Sequence, residues 1–203
     1  LYIFLRPNWD SWLVRGSFII LGYSAVLVAC LFSGSWLLAF GALVLGGWTA
    51  AYTAYLFGQA KGRVLWMRRG LAVHLVIQAG LAGASVLMLM DAFGVALDPG
   101  LVASLPKILA VCLVAHLIAT LLEGKASPPK REAEYARAVR RLSHGPYARR
   151  HWGAGVALGV LVPLLALLAG GAILLPGAAA LALIGLWVEE DLLVRAGQAL
   201  PIS

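Results

Sequence analysis

Stretches of some twenty apolar residues, each closed by a short polar or glycine–proline break, run the length of the chain. A helix rising about 1.5 Å per residue needs about 20 such residues to cross a bilayer. Six stretches meet or approach that length: 16–32, 36–58, 70–90, 99–122, a fifth from 146 or 151 to 169, and a sixth from 172 or 176 to 199. Ser33-Gly34-Ser35 separates the first two. Asp98 before Pro99 predicts a helix N-cap with proline at the first helical position, and Pro106 predicts a kink. Residues 170–177 carry no charge and predict a tight hairpin at the bilayer edge. The only substantial polar segment is 123–150, broken by Ser127-Pro128-Pro129. Within it, 130–142 predicts a short surface helix with Tyr135, Ala138, Val139 and Leu142 at i, i+3, i+4 and i+7. The expected fold is an all-α integral membrane protein, a bundle of about six transmembrane helices. It forms one transmembrane domain over 1–203 with a basic extramembrane segment at 123–150.

Composition sharpens this picture. The chain is 62% apolar and 12% charged, against about 25% charged residues in a typical soluble domain. Its net charge of +7 would suggest nucleic acid in a soluble protein. Here the basic residues sit between apolar spans, so the expected neighbour is membrane lipid and no nucleic acid. With six spans, Arg6, Arg15, Lys61, Arg63, Arg68, Arg69, the eight basic residues of 125–150, and Arg195 all fall on one side, leaving only Lys107 opposite. The positive-inside rule makes the basic side, and with it both ends of the chain, cytoplasmic in a multi-pass inner (plasma) membrane protein. No basic n-region with a cleavage site precedes the first apolar run, so no signal peptide is read. Cys30 and Cys112 lie in apolar runs without a Cys-x-x-Cys pair, which suits neither an iron–sulfur cluster nor a disulfide.

The ionisable residues within the spans gather toward the basic side. His74 lies about one turn into the third span and His116 about two turns before the end of the fourth. Tyr52, Tyr55 and Gln59 occupy the last turns of the second span; Glu189, Glu190 and Asp191 occupy the last turns of the sixth. Intramembrane ionisable groups are costly and point to function as a cluster. Taken singly, each histidine equally suits a bond to a neighbouring carbonyl, and the acidic triplet suits the headgroup region. Two histidines at similar depth also suit the axial ligands of a haem b. A transporter half would place charges at mid-bilayer beside broken helices, and a purely structural anchor is a further alternative. Trp9, Trp12, Trp36, Trp66, Trp152 and Trp187 lie near span ends, where an aromatic belt is expected. Gly41, Gly46, Gly47, Gly80 and Gly83 suit close helix contacts.

Four segments taken together resemble the NrfD-type family, the membrane subunits of polysulfide reductase and related iron–sulfur molybdoenzymes. The first is Arg6-Pro7-Asn8-Trp9-Asp10-Ser11-Trp12. The second is Tyr52-Thr53-Ala54-Tyr55 followed by Gly62-Arg63-Val64-Leu65-Trp66. The third is Gly145-Pro146-Tyr147 with Trp152 and Gly159 to Pro163, and the fourth is Val194-Arg195-Ala196-Gly197-Gln198-Ala199-Leu200-Pro201. Family members typically have eight or more helices, and this chain, which opens on Leu1, resembles the last six of eight. The resemblance implies a quinone-binding subunit (menaquinone or ubiquinone) without haem or metal. It implies electron exchange with a four-cluster iron–sulfur subunit and, through that, with a molybdopterin catalytic subunit. It also carries over Tyr52 as a quinone contact, by its spacing to Arg63 and Trp66. A quinone needs a hydrogen-bond donor for its carbonyls and groups that exchange protons. Tyr52, Gln59, His74 and His116 are therefore the expected quinone-binding residues, with Arg63, Arg68 and Arg69 docking the iron–sulfur partner.

Overall fold

The computed structural model describes residues 5–199; the extreme ends, including Leu200 and Pro201 of the C-terminal segment, lie outside the described residues. It contains helices α1 (Trp12–Phe32), α2 (Trp36–Gly58), α3 (Leu71–Ala92), α4 (Pro99–Leu121), the short α5 (Glu132–Ser143), α6 (Arg150–Ala169) and α7 (Leu174–Gln198), and among the described residues no strand. Five of these, α1 to α4 and α6, are long and apolar enough to cross a membrane. The sixth expected span, α7, has the length at 25 residues, but the acidic triplet of its last turns lowers its hydropathy. Two of those three carboxylates turn into the bundle, so the departure from a purely apolar span follows from what α7 holds inside.

Boundaries follow local chemistry. Helix α1 begins a turn earlier than expected, and Arg15 lies in that first turn, its guanidinium over the Trp12 ring 4.8 Å from its centroid and its Nε donating to Trp9 O. Asp98 Oδ1 accepts from Leu101 N at 2.9 Å and caps α4, which runs on through Pro106. In α6 the first twelve residues wind as a π-helix before the last two turns tighten to α. Gly170 and Gly171, at φ 69° and 106°, make the expected hairpin into α7, a backbone that a Cβ would strain.

Helix α1 packs on α2, α2 on α3, and α3 on both α4 and α7, with α6 closing on α7. The outer surface is apolar, as in Phe32 and Ile173, each 86% exposed, which suits lipid rather than water. One core cluster joins Leu81 and Met88 of α3, Leu105, Leu109 and Leu113 of α4, Val160 of α6 and Ala179 and Ala182 of α7. A second closes the basic end, where Tyr135, Ala138 and Leu142 of α5 bury against Leu192 and Ala196 of α7. The expected face of α5 is the buried one. Of the glycines of the second and third spans, Gly80 lies against Cys112 of α4 and Gly46 against Tyr23 of α1, but the tightest crossing is made by Gly159 and Gly185. Those two stand so close that a Cβ on either would collide with the other's backbone, whereas Gly47 and Gly83 meet nothing.

Candidate functional site

Between the two clusters lies a polar layer. The chain leaves α2 through one 3-10 turn (Val64–Met67) and enters α3 at Gly70, whose φ of 76° bends the backbone sharply. That bend carries Arg68 and Arg69, and Arg69 N donates to Ala126 O at 2.9 Å, tying it to the exit of α4. Arg68 turns inward, its side chain 7% exposed, and forms an ion pair with Glu123 at the foot of α4. Its other terminal nitrogen donates to His74 Nδ1 at 2.7 Å, and His74 Nε2 meets His116 Nδ1 at 2.8 Å.

The direction of this chain of bonds follows from one fact. Arginine has no acceptor, so His74 Nδ1 must accept. A neutral His74 then carries its proton on Nε2 and donates to His116 Nδ1, which leaves His116 with its proton on Nε2. Arg68 thus sets both tautomers. The two imidazoles contact one another directly, with ring centroids 4.8 Å apart, which leaves no gap for a macrocycle between them.

Opposite this row, α6 and α7 bring together His151 and Glu189, with His151 Nδ1 3.1 Å from Glu189 Oε1. The Glu189 carboxylate rests against Gly155, where any Cβ would overlap it. Arg68, His74, Gln78, Glu123, Glu189 and Glu190 surround an interior cavity of about 10 Å³. On the outer side, a larger cavity of about 480 Å³ lies between α3 and α4. Its walls are Val73, Ile77, Ala115, Ile118, Ala119 and Leu122, and its polar end is Arg68, Arg69, His74 and Glu123. That size is within the ~300–1,000 Å³ of small-molecule sites. Tyr135 donates to Glu123 O at 2.8 Å. Burial foremost, and then the charge of Glu123, holds that phenol above its ordinary pKa, so it stays a donor.

The expected residues separate into groups. His74 and His116 are joined. Tyr52 is not with them: its ring fills the space that Gly16 leaves on α1, so it points to the α1 side of α2. Gln59 donates to Asp10 O at 3.5 Å and lines a different cavity of about 540 Å³, with Trp12, Tyr55 and Arg68. Trp12 and Tyr55 stack there at 4.3 Å. Arg63 donates to Gln198 O at 3.0 Å, so two of the four resembling segments hold each other across the basic end, and Trp66 Nε1 donates to Leu193 O at 3.1 Å just ahead of the last of them. Arg68 belongs to the interior rather than to an outer docking face, because its charge is taken up by Glu123; Arg69 is exposed. Asp191 stays at the surface, paired with Arg195 at 2.7 Å and Arg150 at 2.9 Å. Glu123, Gln78 and His151 were missed by the sequence reading. Glu123 looks like the first residue of a loop and His151 like a span boundary, and only a helix-by-helix alignment of depths would have flagged them.

A family model described as polysulphide reductase, NrfD, matches residues 34–201. No curated protein and no solved structure matches the chain.

Proposed function

The chain belongs to the NrfD polysulphide reductase family, and from that premise and the polar layer we propose that it is a quinone-reactive subunit of a respiratory oxidoreductase. Members of the family are membrane subunits of molybdoenzyme complexes and partner with iron–sulfur and molybdoenzyme subunits. In this reading the chain passes electrons between membrane quinone, menaquinone or ubiquinone, and an iron–sulfur protein on its basic, cytoplasmic face.

The observation that carries the reading is the α3–α4 cavity. It combines apolar walls for an isoprenoid tail with a polar end at Arg68, His74 and Glu123. Arg68 supplies N–H donors to a quinone carbonyl, and Glu123 supplies a carboxylate to a quinol hydroxyl. His74 bonds Arg68 beside it, and His116 bonds His74 in turn. Such a ligand would carry the redox chemistry; the chain orients it and handles its protons.

Quenching of tryptophan fluorescence by a quinol analogue tests the site. We expect binding that weakens when Ile77→Trp or Ala119→Trp fills the cavity. Binding unchanged by either, but abolished by Tyr55→Ala or Gln59→Leu, moves the head group to the Trp12–Tyr55 cavity. No binding at all leaves a structural anchor. A Soret band in the purified protein would instead support the haem b reading of His74 and His116. Docking of the iron–sulfur partner falls to Arg69 and the 125–150 segment. Arg69→Glu should release that subunit in mild detergent, and unchanged co-purification would assign Arg69 to lipid headgroups.

A further inference from the structure

The α3–α4 cavity and the interior cavity share three lining residues: Arg68, His74 and Glu123. Arg68 cannot give up its charge at any working pH, and both His74 nitrogens are already engaged. Among the described residues, Glu123 is the one carboxyl that faces both spaces. Beyond it, the interior cavity of about 10 Å³ is the size of one water and is bounded by Gln78, Glu189 and Glu190 of α3 and α7. Gln78 Oε1 has no partner within the protein, and the side chain is buried at 7% exposure. A buried water needs two to four polar partners, and this wall supplies them.

On the proposed function as its premise, we infer that Glu123 is the proton acceptor of the site and that a water in the interior cavity carries its protons to Glu190 and Glu189 on α7. Each quinol O–H that breaks gives its proton to a Glu123 carboxylate oxygen, forming the carboxylic acid. The two electrons leave to oxidised clusters of the iron–sulfur partner. Glu123 then protonates the water, which delivers one of its own protons to Glu190, and Glu123 is free for the second. The groups facing Glu123 are Arg68 and Arg69 from the bend before α3, His74 from α3, Glu189 and Glu190 from α7, and the Tyr135 hydroxyl from α5, which bonds its carbonyl. His151 stands behind Glu189 at 3.1 Å, and Gly155 keeps that carboxylate seated. Protons therefore travel inward along α7 rather than directly out at the mouth of the cavity.

The test uses the purified complex with a quinol analogue and two readouts. One is analogue binding; the other is the infrared carboxylic-acid band that appears when quinol is oxidised. Wild type should bind and show the band. Glu190→Gln should bind as wild type does, lose part of the band, and slow quinol oxidation by about 10²-fold or more, the usual worth of a positioned proton-transfer group. Gln78→Leu, which makes the wall of the interior cavity apolar, should retain binding and enlarge the solvent isotope effect on turnover. Glu123→Gln should remove the largest share of the band; if it fails to assemble, Glu190→Gln and Gln78→Leu decide the matter alone. Binding with band and turnover unchanged in Glu190→Gln and Gln78→Leu overturns the relay and leaves the quinone site standing. Absence of binding in the wild type overturns both.

Discussion

Replacing Arg68 by methionine removes the group on which the polar layer is built, and its cost can be worked out. Arg68 and Glu123 are 7% and 8% exposed, so they form a buried ion pair rather than a surface one. Removing one partner of such a pair costs about 3–5 kcal/mol, because a buried charge is left without compensation. His74 Nδ1 also loses its donor, which for a buried acceptor costs about 1–3 kcal/mol. These losses are not additive, since both fall on one connected network of contacts. Arg68→Met should therefore destabilise the protein by about 3–5 kcal/mol in all. Adding Glu123→Gln should restore a good part of it, since the stranded charge is gone and only the His74 contact remains lost. Equilibrium unfolding in mixed micelles provides the measurement, with Trp66, anchored on Leu193 O, as reporter. Nitrogen chemical shifts of the imidazoles supply a second check: His74 Nδ1 should be unprotonated in the wild type and free to change tautomer in Arg68→Met. A cost below about 1 kcal/mol, as for an exposed pair, or strict additivity in the double variant, would refute the reasoning.

Other outcomes are expected. Tyr52→Phe keeps the ring under Gly16, and because Tyr52 lies outside the α3–α4 cavity its quinol turnover should stay close to wild type. A loss of about 5- to 150-fold, the worth of a hydrogen bond of roughly 1–3 kcal/mol, would return the head group to the α1–α2 side. Gly159→Ala forces a Cβ against the Gly185 backbone and should cost about 1–3 kcal/mol in the same unfolding assay. Gly155→Ala meets only the tip of Glu189, so it should cost less but displace that carboxylate and reduce the infrared band; equal costs would refute the distinction. A single cysteine at position 130 should resist membrane-impermeant reagents in intact cells, and fast labelling would overturn the cytoplasmic assignment.

The spans were legible because their signal is compositional. Crossing a bilayer requires a long apolar run whatever its neighbours are, and α2 starts and ends at the expected residues, Trp36 and Gly58. Turn chemistry was equally local: Asp98 caps α4 and Gly170-Gly171 make the hairpin, as their residue types require. The amphipathic face of α5 was also written in its periodicity. Depth was partly legible as well, since position along the spans put His74 and His116 at a similar level, though not in contact.

What the order of residues determined by itself is therefore the class, five of the six expected spans and the family likeness, each a property of one segment at a time. Which way a side chain points around its helix was left to tertiary structure, because a uniformly apolar helix carries no polar stripe to set its rotation. Tyr52 and His74 are both polar groups near the basic end, yet one faces α1 and the other faces α4. Arg68 reads as a loop charge and becomes the centre of the interior only because Gly70 turns the backbone and Glu123 waits across the gap. Glu189 enters the bundle rather than the headgroups because Gly155 of a different helix leaves it room. Such contacts join residues tens of positions apart, and their energies exist only once the helices have packed.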